Sequence, residues 1–138
     1  MTWKEKADEW GGAAVSFLSE DGECIDFCVV ADPVLIEGKF QGRPTQRVGA
    51  PIVTIDGFSL MIMGKRLFRK LSKREKDFGK HAFEIIRHGG ADDTKTKYEL
   101  INCPDAELET ELLKLAAAGV EQTDINESIA EATEIANQ

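Results

Sequence analysis

Cysteine, histidine and long apolar runs are scarce in this chain of 138 residues. Its three cysteines, Cys24, Cys28 and Cys103, are an odd number at spacings that form no disulfide framework, so the expectation is reduced thiols in a cytoplasmic compartment. Cys24 and Cys28 share a face of a regular strand. A zinc site would still need two more ligands from Cys103, His81 and His88, and the two histidines fall on opposite faces. No metal and no cofactor is expected. No stretch approaches the roughly 20 consecutive apolar residues of a membrane helix, and Met1–Trp10 carries Lys4, Lys6, Asp8 and Glu9 where a secretion leader would be apolar. A membrane partner is therefore not expected. The sequence also lacks a phosphate-binding glycine loop, a dinucleotide glycine fingerprint and a Ser or Cys nucleophile motif. Asp32, Glu37 and Lys39 are the set from which a magnesium nuclease would be built, but Pro33 bends the chain between them. The reading is of a non-catalytic protein.

What the chain has is charge, unevenly placed. The 25 acids and 17 bases give a formal net charge of −8, which taken alone opposes a nucleic-acid partner, because phosphates seek Lys and Arg. Before Lys39 there are two Lys against nine acids; over Lys39–Lys97, fourteen Lys or Arg against six; from Tyr98 onward, one Lys against ten. A basic middle is flanked by acidic ends.

Periodicity divides the chain into three parts. Residues 1–22 read as an irregular lead-in with at most one short strand. Residues 23–104 read as one folded domain. Cys24–Val30 and Val34–Phe40 are apolar runs joined by Asp32-Pro33, hence one bent strand or two collinear ones. Gly42 and Pro44 mark a turn, and Thr45–Ile55 alternates with many β-branched residues. Asp56-Gly57 is a strong hairpin signal, with Phe58–Met63 as the returning strand. Leu67, Phe68 and Leu71 then recur at helical spacing among cations, predicting an amphipathic helix over Lys65–Asp77. His81–His88 and Thr94–Ile101 form a second strand-turn-strand unit. Residues 105–138 are acidic and helical: Leu108, Leu112 and Leu115 repeat in a first helix, and Ile125, Ile129 and Ala132 in a marginal second one or a solvated tail.

Strand, strand, strand, helix, strand, strand, with the first strand bent, is the order of the oligonucleotide-binding (OB) fold, a five-stranded Greek-key barrel with a helix between strands three and four. The fold class expected is that all-β core with added helices, followed by the C-terminal helix and acidic tail. The alternative is a small antiparallel sheet with a helix on one face. The runs Val34–Phe40, Pro51–Phe58, Met63–Arg69 and Asp93–Tyr98 resemble those of small bacteriophage single-stranded DNA-binding proteins of the OB class, over Cys24–Pro104. The resemblance implies strand protection during phage replication or recombination. It also implies an acidic C-terminal tail that recruits replication or recombination proteins or competes with DNA for the basic groove. Met61 stands where such proteins place an aromatic.

Sequence-tolerant binding of single strands needs cations along the phosphates and apolar faces under the bases. Lys39, Arg43 and Arg47 are the expected phosphate contacts and Phe40 the expected stacking ring, all on one turn and its strands. Phe58 and Met61 are further candidates on the third strand. Arg87, Lys95, Lys97 and Tyr98 are a second group, although alternation places Tyr98 on the face opposite both lysines. The cations of Lys65–Lys76 read as a solvated helix face. The competing function is a protein-interaction or virion-assembly module, in which the basic middle of one copy meets the acidic end of another and the chain self-associates.

Overall fold

The computed structural model of the chain describes residues 15–16, 18, 21–89 and 96–137. Seven strands and three helices are built from them in the order β1 (Val15–Ser16), β2 (Cys24–Val29), β3 (Val34–Phe40), β4 (Arg43–Thr54), β5 (Gly57–Met63), α1 (Lys65–Ser72), a 3-10 turn (Glu75–Asp77), β6 (Phe83–His88), β7 (Lys97–Asn102), α2 (Ala106–Ala118) and α3 (Gln122–Ala136). The strands form a sheet ordered β1-β5-β4-β2-β6-β7, with β3 also paired to β4. All pairings are antiparallel except the two-residue contact of β1 with β5.

β2 and β3 are the predicted bent strand, laid along the same side of β4. Val29 lies opposite Ile52 and Val34 opposite Gly49, so four residues on one side face two on the other. The break falls opposite Pro51, whose carbonyl accepts from Val30 N (3.0 Å) but which has no N–H to give. The ladder lacks a donor there, and the first strand bulges outward through Asp32-Pro33. The next hairpin turns one residue earlier than expected: Thr54 pairs with Gly57, leaving Ile55-Asp56 as the loop. Gly57 takes φ +113, which a side chain would oppose.

Alternation gives the sheet two buried faces. On one, Phe27, Val48, Ala50, Ile52, Met61, Met63, Phe83 and Ile85 form the main core, closed by Leu67 and Leu71 of α1 and joined by Tyr98 and Leu100 of β7. Side chains from both ends of the sheet thus meet in one cluster, so the sheet curls around α1. It is not the closed five-stranded barrel: among the described residues no pairing joins β1 or β5 to β7, and the sheet stays open. On the other face α2 packs Leu112 over Cys28, Val53, Ala82 and Cys103, and α3 packs Ala132 over Ile36 and Leu60.

The helices follow local chemistry. The Asp105 side chain caps α2 by accepting from Glu107 N (3.0 Å) and Leu108 N (3.1 Å). α1 ends at Ser72 instead of running to Asp77, and the chain tightens into the 3-10 turn, where Arg74 pairs with Asp77 (3.4 Å), bonds the Asn102 side chain and covers the Phe83 ring at 5.0 Å. The stretch read as a marginal helix or solvated tail is a docked helix, with Ile125, Ser128 and Ala132 buried. No helix among the described residues is long and apolar enough to cross a membrane.

Candidate nucleic-acid interface

β3 and the first half of β4 form a two-stranded arm extending past β5, whose pairing with β4 stops at Val48. Lys39, Arg43 and Arg47 are all exposed on it. They do not share a face, because the register sets Lys39 beside Pro44, Arg43 beside Phe40 and Arg47 beside Ile36, and neighbours along a strand alternate. Arg47 therefore stands on the side where Ile36 carries α3, and Lys39 on the opposite side. The Phe40 side chain lies outside the described part of the structure. On the Lys39 side, Lys65 Nζ donates to Gln46 Oε1 (2.7 Å) and Gln46 Nε2 to Glu37 Oε1 (3.3 Å), which ties the arm to the start of α1.

A second cationic surface is built between α1 and the edge of β7 that pairs with no other strand among the described residues. Two adjoining concavities, of about 320 and 510 Å³, run along it with Lys70, Lys97 and Tyr98 common to both. Arg66 lines the first and Lys73 the second. Lys70 Nζ donates to the Tyr98 carbonyl (3.0 Å) and so covers the strand edge. Arg66, Lys73 and Lys97 are exposed and make no ion pair among the described residues. Along the chain these α1 cations read as a solvated helix face; only the register of β7 shows that they border a groove.

The remaining candidates fall into structural roles. Met61 is 2% exposed inside the main core and offers no surface to a ligand, which corrects its reading as a contact. Phe58 is half-buried opposite Val53, on the sheet face that carries α2. Arg87 is half-buried and engaged: Nε donates to the Gly89 carbonyl (2.8 Å), Nη1 to the Leu18 carbonyl (2.6 Å) and Tyr98 Oη (3.0 Å), and its guanidinium lies 5.7 Å from the Tyr98 ring centre. It fixes Tyr98 from the core side instead of reaching outward. Tyr98 is half-buried and turned inward, opposite to Lys97, as alternation required. Lys95 lies outside the described residues.

The opposite face of β2, β6 and β7 is acidic. Asp26 lies directly across from Glu84, and Glu99 sits diagonally beyond on β7. A hydrogen bond to Asp26, burial, and the charges of Asp26 and Glu99 together push the Glu84 carboxyl from 4.5 to about 6. A folded-state value above the unfolded one means stabilisation that is complete below the unfolded value and lost as pH rises through about 6. Glu84→Gln, which keeps a donor toward Asp26, is therefore expected to raise the thermal midpoint at pH 8 by about 2–4 °C, roughly 1 kcal/mol after discounting for exposure. At pH 5 most of the gain should vanish. An equal gain at both pH values in a melting series would contradict the shared-proton pair.

Cys28 and Cys103 are buried beneath α2, and burial pushes the Cys28 thiol up to about 11, leaving it protonated and unreactive. His81 and His88 are engaged with Glu109 (3.3 Å) and Glu99 (3.0 Å). No group of three or more His, Cys, Asp or Glu among the described residues could hold a metal ion. Comparison of the chain with known protein families, with curated proteins and with solved structures finds no match.

Proposed function

We propose that this protein binds single-stranded nucleic acid, DNA in the first instance, without catalysis and largely without sequence preference. The observation that carries the reading is the groove between α1 and β7, where Arg66, Lys70, Lys73 and Lys97 border two adjoining concavities. Unpaired cations along a groove are what a phosphate chain requires, and the counterions displaced by such neutralisation would drive binding. On the arm, Lys39 extends the positive surface, its side held in line with α1 by the Gln46–Lys65 bond, while Arg43 and Arg47 lie on the opposite, α3 side.

The strand order supports an OB-type core, with β2 and β3 as its first strand and α1 between β5 and β6. In that fold the second and third strands commonly present the ligand face. Here the corresponding outer face of β4 and β5 is covered by α2 and α3. We therefore route the strand along α1 and the arm. The resemblance to phage single-strand binders adds a cytoplasmic role in protecting DNA during replication or recombination, with exposed acids of α2 and α3 available to partner proteins. The charge separation equally favours one alternative, self-association or virion assembly through opposite patches.

Titration of a labelled single-stranded oligonucleotide by fluorescence anisotropy tests the reading. Binding should be tight at about 50 mM salt and at least tenfold weaker at about 200 mM, as neutralisation of several phosphates requires. A matching duplex should bind more weakly. No binding at low salt, with salt-sensitive self-association instead, would replace the proposal by its alternative.

A further inference from the structure

The bulge between β2 and β3 opens a separate concavity of about 370 Å³ against α1 and the 3-10 turn. Its walls are apolar: Val29, Val30 and Pro33 on one side, Phe68, Leu71 and Phe78 on the other. The polar side chains on it are Asp32, Ser72 and Glu75. Mostly apolar walls with a few polar groups, at this volume, characterise ligand sites. The charge is the informative feature. Asp32 and Glu75 are exposed and make no ion pair among the described residues, although Glu75 lies in the stretch of the chain richest in cations.

Two exposed acids lining an apolar cavity repel a phosphate chain and attract a cation. The volume exceeds the roughly 150 Å³ that holds a benzene ring, so an aromatic side chain enters with room for its flanking backbone. The adjoining backbone is also open, since neither Ala31 nor Asp32 makes a backbone hydrogen bond among the described residues. Groups left out of a ladder can be met by an extended peptide laid beside them, as at other strand edges.

We propose that this cavity is a docking site for an extended segment of a partner protein, which inserts an aromatic side chain and sets a flanking Lys or Arg against Asp32 and Glu75. The site is independent of the nucleic-acid groove and does not rest on that reading. Two blocked peptides, Ser-Trp-Lys-Ser and Ser-Trp-Glu-Ser, test it on the full chain by amide chemical-shift titration. The lysine peptide should shift the signals of Val30–Asp32 and Phe68–Ser72 saturably and bind roughly tenfold tighter than the glutamate peptide, the discrimination expected of charges meeting at one mouth. Asp32→Asn with Glu75→Gln should reduce that preference to about twofold or less. Ser72→Phe, which fills the mouth from an exposed position, should abolish the shifts from both peptides. Equal binding of the two peptides, no shifts at millimolar concentration, persistence in Ser72→Phe, or equivalent shifts from an oligothymidine would each overturn the proposal.

Discussion

Reversal of Arg66, Lys73 and Lys97 to glutamate is expected to weaken single-stranded oligonucleotide binding by roughly a hundredfold or more at about 0.1 M salt and to flatten the salt dependence by about 0.7 in slope for each phosphate no longer neutralised. The three side chains line the groove and hold nothing else together among the described residues, so the fold should survive. Arg66 sharpens the test. It sits in the first turn of α1, which has no acid there and no side-chain cap at Gly64, so its charge opposes the positive end of the helix dipole. Arg66→Glu alone should therefore stabilise the protein by about 0.3–1 kcal/mol while lowering affinity. A cation kept where it costs stability is the mark of a binding role. If the triple variant binds normally while Lys39→Glu with Arg43→Glu does not, the strand runs along the arm instead. If all of these variants bind normally, the nucleic-acid reading loses both of its surfaces.

The hairpins and the amphipathic character of α1 are legible in the sequence because they rest on local signals: the proline bend, β-branched alternation and the 3.6-residue period. What is not legible is which groups face each other across long separations. Alternation correctly opposes Tyr98 to Lys97, yet only the register of β6 and β7 shows Arg87 locked onto Tyr98. Met61 reads from the sequence as either core or surface, since alternation fixes two faces without saying which is inside; the packing of Met61 and Met63 under α1 decides it. The three arm cations look like one cluster along the chain and separate once Lys39 pairs with Pro44. The docking of α3 did leave a trace in the sequence. An isolated glycine within an apolar strand marks a close approach, and Gly38 is such a residue.

Gly38→Val is the substitution expected to disturb the fold most selectively, and it also discriminates between the two possible paths for nucleic acid. A Cβ placed on Gly38 would stand 2.5 Å from the Ala136 Cβ and collide with the Ala136 backbone. Backbone cannot step aside as a flexible side chain can, so the end of α3 must lift. The Asn137 side-chain bond to the Glu37 carbonyl (3.4 Å) goes with it. Overpacking of this kind costs about 1–3 kcal/mol, and undocking would expose Ile36 and Leu60, each worth about 1.5–3 kcal/mol when buried. The cheaper response sets the outcome, a loss of about 2–3 kcal/mol and a thermal midpoint lower by about 10 °C. Amide exchange should rise first in Gln122–Ala136. Gly79→Ala, where a Cβ meets nothing within 4 Å, is the control and should change little. Because α3 carries Asp124, Glu127, Glu131 and Glu134 over the outer face of β3 and β5, lifting it removes a negative cover from that face. Oligonucleotide affinity unchanged within about twofold would keep the strand on the α1 side, where Arg66, Lys73 and Lys97 make no ion pair among the described residues. A large gain would mean that α3 blocks the true path and that the groove along β7 is secondary.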